Sequence, residues 1–572
     1  MKQLIYINLL LMALLMQSCS LDETIVDKPT AETVTTEGDV TAVIYGLYAR
    51  FNDAGLFKFQ GHIMLTVCAD DFFSNSASEY GPYAQRVLTA VNTSSMWDGL
   101  YYTIENANNL MDVLDNLELS DDFEQRAYGE AYFIRAFCYY YLVRLYGGVP
   151  LRITAATIES DFYLPRASLA DTYAQIFSDF NAAAERLPLK SDLTVSDLGR
   201  ATKGAAQALL AQAYLTYADQ LLLSGADGSA YFENAAAYAD SVISSGEYSL
   251  ISNYADLFDI AKETQAYNEV IFGIRFQTDG TARAQPAAGS EYALRFNAPN
   301  TYYVSANGDN QNGDGTYRVM PWFADYYRTG DYISDTVLDY RNEGAFWQNC
   351  TGPSSRTYYV YPNVVPTGAG NYTIPTPMCR KYIDPNGKDS RNHGNDFFII
   401  RLAEIYYIKA EALNELNGGP TDEALAAFNT VRARARNADG VTRSVPADLT
   451  SATAGSQSDF RMKIFDDRGL ELVGEGQRWF DLVRMPSPLG NSVTMYEYQF
   501  LYRLNNQLSG YPAYTTFTTT YPSYDNTTQT WSPQYGVFAY TLNVSVPQFL
   551  LFPVPTTELV QNPNFGSQNE GW

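Results

Sequence analysis

The sequence predicts a mainly helical protein, with helix pairs stacked as an α-α superhelix against an irregular, loop-rich half that has little β structure. Several long stretches place apolar residues at helical spacing and close on glycine or proline. Alanine and glycine recur along these stretches, where two helices would approach each other. Residues 262–395 and 486–572 lose the periodicity and are rich in Gly, Asn, Pro, Thr and Tyr.

Taken in order, the chain opens with Lys2, an apolar run from Leu4 to Met16, then Gln17, Ser18 and Cys19. A charged start, a short apolar run and a small residue before a cysteine read as a lipoprotein signal over residues 1–18. Cleavage would leave Cys19 as the acylated first residue. A run of 13 residues is too short to cross a bilayer core of about 30 Å, which takes about 20. The body, residues 19–572, is therefore expected to be held to the membrane by lipid alone, each buried methylene contributing about 0.8 kcal/mol. Asp22 and Glu23 follow the anchor, an acidic pair similar to an export tag of surface lipoproteins.

The helical scaffold is expected over about 40–260 and 396–485. Residues 123–146 read as one long helix, with Asp121 and Asp122 at its start and Gly147, Gly148 and Pro150 at its stop. Residues 202–223 and 232–245 form a second pair, the latter closed by Gly246. Residues 398–416 end at Gly418-Gly419-Pro420, and a partner helix follows from Thr421, the expected N-cap, to about Arg436. Residues 459–473 make another helix, stopped by Gly474. Small residues such as Gly204, Ala208, Ala211, Ala403 and Ala410 lie beside aromatic ones, a pattern that resembles tetratricopeptide repeats. Such pairs cannot bury their apolar faces alone and must stack. In the irregular half, 268–276 alternates as a strand does.

Composition narrows the function. The 572 residues carry a net charge of −26, from 38 basic and 64 acidic side chains, which excludes a nucleic-acid partner that needs clustered Lys and Arg. Five cysteines include no C-x-x-C pair, so a zinc site is not expected. Cys138 falls in a helical pattern and reads as core. Cys350 and Cys379 leave a disulfide open. Tyrosine is the outlier, with 46 residues. Its apolar ring and polar tip suit wet, partly exposed surfaces as well as helical packing.

The segment Arg468-Gly469-Leu470-Glu471-Leu472, followed by Glu475-Gly476-Gln477-Arg478-Trp479-Phe480-Asp481-Leu482-Val483-Arg484, resembles the C-terminal signature of the SusD/RagB family of outer-membrane nutrient-binding lipoproteins. Gly129-Glu130-Ala131, Arg135-Ala136-Phe137 and Leu142 to Pro150 are similar to the family's N-terminal helix and loop. Ala201 to Ala206, Arg401 to Ile405, Lys409 to Ala412 and the terminal Leu551-Phe552-Pro553-Val554-Pro555 extend the resemblance over nearly the whole chain. It implies four tetratricopeptide-like helix pairs against an irregular ligand-binding half. It also implies a surface lipoprotein that captures glycans as the lid of a SusC-type TonB-dependent transporter. Peptide or glycoprotein capture by the same complex is the alternative, and a lipid-anchored glycosidase ranks last.

Glycan binding needs aromatic faces against C–H-rich sugar faces, with planar polar groups for hydroxyls. The candidates come from irregular segments: Asp71, Phe73, Tyr80 and Tyr83 in one loop, Tyr302 and Tyr303 near Asn300 in a second, and Trp322 and Trp347 in a third group. Trp97 and Trp479 read as packing. Glu404, Glu411, Glu475 and Asp481 lie beside Arg401, Lys409, Arg468, Arg478 and Arg484 and read as ion pairs rather than as a glycosidase pair. His62 and His393 are the only histidines, and no H-E-x-x-H, G-x-S-x-G or Walker A motif is present. No cofactor is expected. Residues 307–315 are calcium-loop-like but lack the ligand spacing, and read as a solvated turn.

Overall fold

The structure, a computed structural model, describes residues 33–74, 80–157, 160–277, 289–299, 313–366, 372–386, 391–438, 440–507, 523–531, 548 and 550–572. Cys19, Asn300, Tyr302, Tyr303 and most of the 307–315 loop lie outside these residues.

Ten helices build the scaffold: α1 (Glu37–Arg50), α2 (Ala90–Leu114), α3 (Asp121–Tyr146), α4 (Leu169–Arg186), α5 (Lys203–Leu223), α6 (Ser229–Ser244), α7 (Leu402–Asn417), α8 (Asp422–Ala435), α9 (Gln457–Glu471) and α10 (Arg478–Arg484). From α2 to α8, each helix packs on the next. Local signals fix their ends. Thr202 accepts from the Ala205 N–H, Thr421 from Ala424 and Ser456 from Asp459, so exposed amide donors at three helix starts are satisfied. Gly147 stops α3 with a φ of +81°, a conformation that favours glycine. Almost every α3 residue from Ala127 to Tyr146 is buried. An α-helix without a polar face belongs at the centre of a fold, and α3 packs there between α2 and α4.

The larger part of the irregular half is an insertion between α6 and α7. Strand β2 (Val270–Ile274) leaves the scaffold and β7 (Phe397–Arg401) returns antiparallel to it, with Val270 opposite Arg401. This stem lets α6 and α7 pack as neighbours despite the intervening chain. The sequence reading of 398–416 as one helix is corrected here, because Phe397–Arg401 is a strand and α7 begins at Leu402. All five strand residues are buried, so no polar face marks the run as a strand. The expected strand at 268–276 is present as β2.

Other strands are short. β1 (Phe72–Ser74) pairs with β3 (Tyr317–Val319). β4 (Asn349–Thr351), β5 (Thr357–Val360) and β6 (Thr373–Ile374) form a three-stranded sheet. β8 (Tyr524–Asp525) and β9 (Thr530–Trp531) form a hairpin. No disulfide joins Cys350 to Cys379. Cys350 sits in β4 opposite Tyr358, whereas Cys379 bridges to Phe346. No described helix is long and apolar enough to cross a membrane.

Candidate functional site

Six sequence-predicted ligand residues fall in the described structure, and all six are buried: Asp71, Phe73, Tyr80, Tyr83, Trp322 and Trp347. As ligand candidates they offer no solvent-facing ring in this structure; the core reading that such aromatics also carry is the one their burial fits, and the β1–β3 pairing folds the first loop and the Trp322 segment together. Phe73 lies opposite Arg318 in that pair. The Met320 N–H donates to the Asp71 carbonyl at 2.8 Å. Trp322 donates its indole N–H to the Asp70 carbonyl at 2.9 Å. Tyr80 meets the edge of Tyr317 at 5.9 Å, and Tyr83 donates its hydroxyl to the Asn92 carbonyl at 2.6 Å. Phe73, Tyr80, Tyr83 and Trp322 therefore belong to the main core. Trp347 belongs to a separate cluster with Ala298, Cys350, Val360, Ile374 and Met378.

Burial raises the Asp71 carboxyl well above the ordinary range, and the neighbouring Asp70 charge adds to this. It is a poor acceptor for a sugar hydroxyl. Asp314, from the calcium-like loop, is bound to Arg295 at 2.8 Å. Among the described residues no group of three or more His, Cys, Asp or Glu side chains is placed to hold a metal ion.

The surface of the irregular half instead presents aromatic residues that the sequence reading missed. Tyr358 on β5 and Tyr372 beside β6 lie 5.4 Å apart, their rings tilted by 48°. The Arg356 guanidinium lies over the Tyr372 ring at 4.9 Å. Tyr372 is 37% exposed and Tyr358 half-buried. The β8–β9 hairpin docks on residues 361–365. Trp531 donates to the Asn363 carbonyl at 2.8 Å and Tyr524 to that of Val365 at 3.2 Å. Trp531 also meets the rings of Tyr361 and Tyr524, each at 5.3 Å. Tyr358, Tyr372, Tyr524 and Trp531 are thus held with part of each ring exposed, and the Arg356 guanidinium lies against Tyr372. The Thr357-Tyr358-Tyr359-Val360 strand gave no clue to this, because Tyr358 shares a face with Val360, which is buried.

The family profile described as the SusD family matches residues 268–572, and a second, described as starch-binding associating with outer membrane, matches residues 21–215. The chain belongs to the SusD family. Among relatives, SusD-like protein P2 of Formosa agariphila is 28% identical over 416 residues, covering 70% of this chain and 72% of that protein. A SusD homolog from Bacteroides thetaiotaomicron matches with a TM-score of 0.74 at 19% identity, covering 94% of this chain and 97% of the other. A structure described as a laminarin-binding SusD-like protein matches at 0.66 and 20% identity, over 94% and 100% of the two chains.

In this SusD-family chain the signature carboxylates form a buried ionic lattice. Arg468 holds Glu404 at 3.0 Å and Asp481 at 2.8 Å. Arg484 holds Glu411 at 2.7 Å and Asp481 at 2.8 Å, and also pairs with Asp219 of α5. Glu475 sits between Arg401, at 2.8 Å, and Lys381, at 2.6 Å. Arg478 reaches Asp70 at 2.7 Å and so ties the β1 loop to α10.

Burial works to raise the Glu475 and Asp481 carboxyls, but the cations beside each outweigh it and hold both below their ordinary values. A glycosidase acid needs the reverse, a carboxyl that keeps its proton near neutral pH. The lattice fastens α5, α7, α9 and α10 to the irregular half.

Proposed function

We propose that this protein is a non-catalytic glycan-binding lipoprotein of the outer-membrane surface. It captures an oligo- or polysaccharide on the Tyr358–Tyr372–Arg356 face and hands it, as a lid, to a partner SusC-type TonB-dependent transporter. That exposed aromatic face, on a chain of the SusD family, is the observation that carries the reading. Pyranose C–H faces stack on half-exposed tyrosine rings, and a guanidinium beside them bridges hydroxyls. The laminarin-binding relative and the outer-membrane description of the second family profile support the same direction. The Cys19 signal supplies the anchor.

The test is affinity electrophoresis of the protein through gels containing a panel of polysaccharides, laminarin among them. Retardation by one polymer, relieved by Tyr372→Ala and Arg356→Ala with the melting temperature unchanged, is the expected result. Retardation indifferent to both substitutions would remove the face from the proposal. The lid role is checked separately, by co-purification with a co-expressed outer-membrane barrel.

A further inference from the structure

A cavity lies where the α1 end, the β2 end, residues 384–386 and Gly394 meet. Its volume is about 640 Å³, and Asn52, Glu263, Arg275, Gln277, Asp384 and Asn386 line it. That size falls within the roughly 300–1,000 Å³ usual for small-molecule sites. Nothing in the ionic lattice or on the aromatic face uses these residues.

The cavity polar groups are fixed by one another. The Asn52 side-chain amide donates to the Arg275 carbonyl at 3.0 Å. Arg275 spends Nη2 on Glu263 at 3.0 Å and Nε on Asp396 at 3.3 Å. Asp384, fully buried in its side chain, accepts from the backbone N–H of Asn386 and of Gly394, each at 2.8 Å. Burial works to raise the Asp384 carboxyl, but His393 and those two N–H groups hold it below its ordinary value, so it remains an anion. Gln277 and Asn386 stand exposed at the rim with planar amides.

This lining selects by hydrogen bonding. Phe276, the aromatic residue of the wall, is 3% exposed and offers no stacking face. The one arginine in the lining is already engaged by two carboxyl groups, and Asp384 adds negative charge, so an anionic ligand meets repulsion. Two rim amides, the Arg275 guanidinium and the partly exposed Glu263 carboxyl instead match the alternating donors and acceptors of vicinal hydroxyls. We propose that this cleft is a second binding site, for a short neutral sugar of one or two rings, recognised by hydrogen bonds rather than by stacking.

The experiment is isothermal titration of the whole chain, in mild detergent. The probes are the methyl glycosides of glucose, galactose, mannose and xylose and their disaccharides, with glucuronic acid as the anionic comparison. Binding of at least one neutral probe is expected, weakened about tenfold by Gln277→Ala or Asn386→Ala, since each removes one or two hydrogen bonds. Both side chains are exposed, so folding is retained, and a melting curve checks this. Tyr372→Ala should leave the neutral sugar's affinity unchanged while abolishing retardation by polymer. The two sites can therefore fail independently. No neutral probe binding, binding insensitive to both rim substitutions, or tighter binding of glucuronic acid would each overturn the proposal.

Discussion

Arg401 Nη1 lies 2.9 Å from Glu269 Oε1, joining the last residue of the returning strand to the residue just before the outgoing one. The Leu402 N–H donates to the Glu269 carbonyl at 3.0 Å beside it. The stem of the irregular half is thus closed by an ion pair with essentially no exposure to water. Arg401 also meets Glu471 at 2.6 Å and Glu475 at 2.8 Å, so one guanidinium serves three carboxylates.

Arg401→Met should therefore cost about 3–5 kcal/mol, because it leaves buried carboxylates without their cation. Glu475→Gln should cost less, since Arg401 keeps two partners. Urea unfolding of both variants decides the matter. A loss below about 1 kcal/mol for Arg401→Met would show that the lattice does not stabilise the stem.

Trp322, proposed from sequence, and Tyr372, found in the structure, should separate by stability. Trp322 is 3% exposed and bonded to the Asp70 carbonyl. Its replacement by alanine should cost about 3–5 kcal/mol. Tyr372→Ala should change stability by no more than about 0.5 kcal/mol, as exposed substitutions do, yet remove polymer retardation. A folded Trp322→Ala protein with an unchanged melting temperature and no retardation would restore the sequence-based site.

Those outcomes bear on what the sequence could and could not say. Helix starts and stops were legible because caps act over three or four residues: Thr421, Gly147 and Gly418 sit where the pattern put them. The family was legible because the signature's charges must meet in order. The β7 strand was not, since its partner β2 is remote in sequence and its five residues are all buried. Nor was the burial of Asp70 and its neighbours, a loop the sequence offered as a ligand candidate. Its charge is met by Arg478, 408 residues away. Tyr358 and Tyr372 are likewise brought together only by the parallel pairing of β5 with β6.

His62 should make the fold acid-sensitive well above the carboxylate range. It is fully buried among Tyr292 at 4.7 Å, Tyr317 at 5.5 Å and Phe59 at 6.1 Å. Burial, assisted by the Arg295 charge, presses its imidazole from 6.5 to about 3. The unfolded chain then binds a proton that the folded one refuses between these values. Stability is complete above pH 6.5 and falls as the pH drops through this window. Between pH 6.5 and 4.5 the loss should be about 2 kcal/mol. His62→Gln should flatten that slope in urea unfolding at stepped pH. A slope identical to that of the parent would mean that the imidazole protonates in the folded state.

Gly469 in α9 is where the signature depends on the absence of a side chain. A methyl group there would collide with the Tyr327 hydroxyl and come within 2.9 Å of Arg478 Nη1. That hydroxyl donates to the Asp466 carbonyl at 2.6 Å, and Arg478 is held by Asp70, so neither neighbour is free to yield. Alanine is the better helix former by about 1 kcal/mol, yet overpacking a filled site costs about 1–3 kcal/mol. Gly469→Ala should therefore destabilise the protein, against its helix propensity. Tyr327→Phe removes the colliding oxygen, so the double variant should be more stable than the two single losses sum to. Thermal melts of the four proteins give the cycle. An additive double, or a stabilised Gly469→Ala, would show that the Tyr327 ring moves aside and that the glycine is not required by this contact.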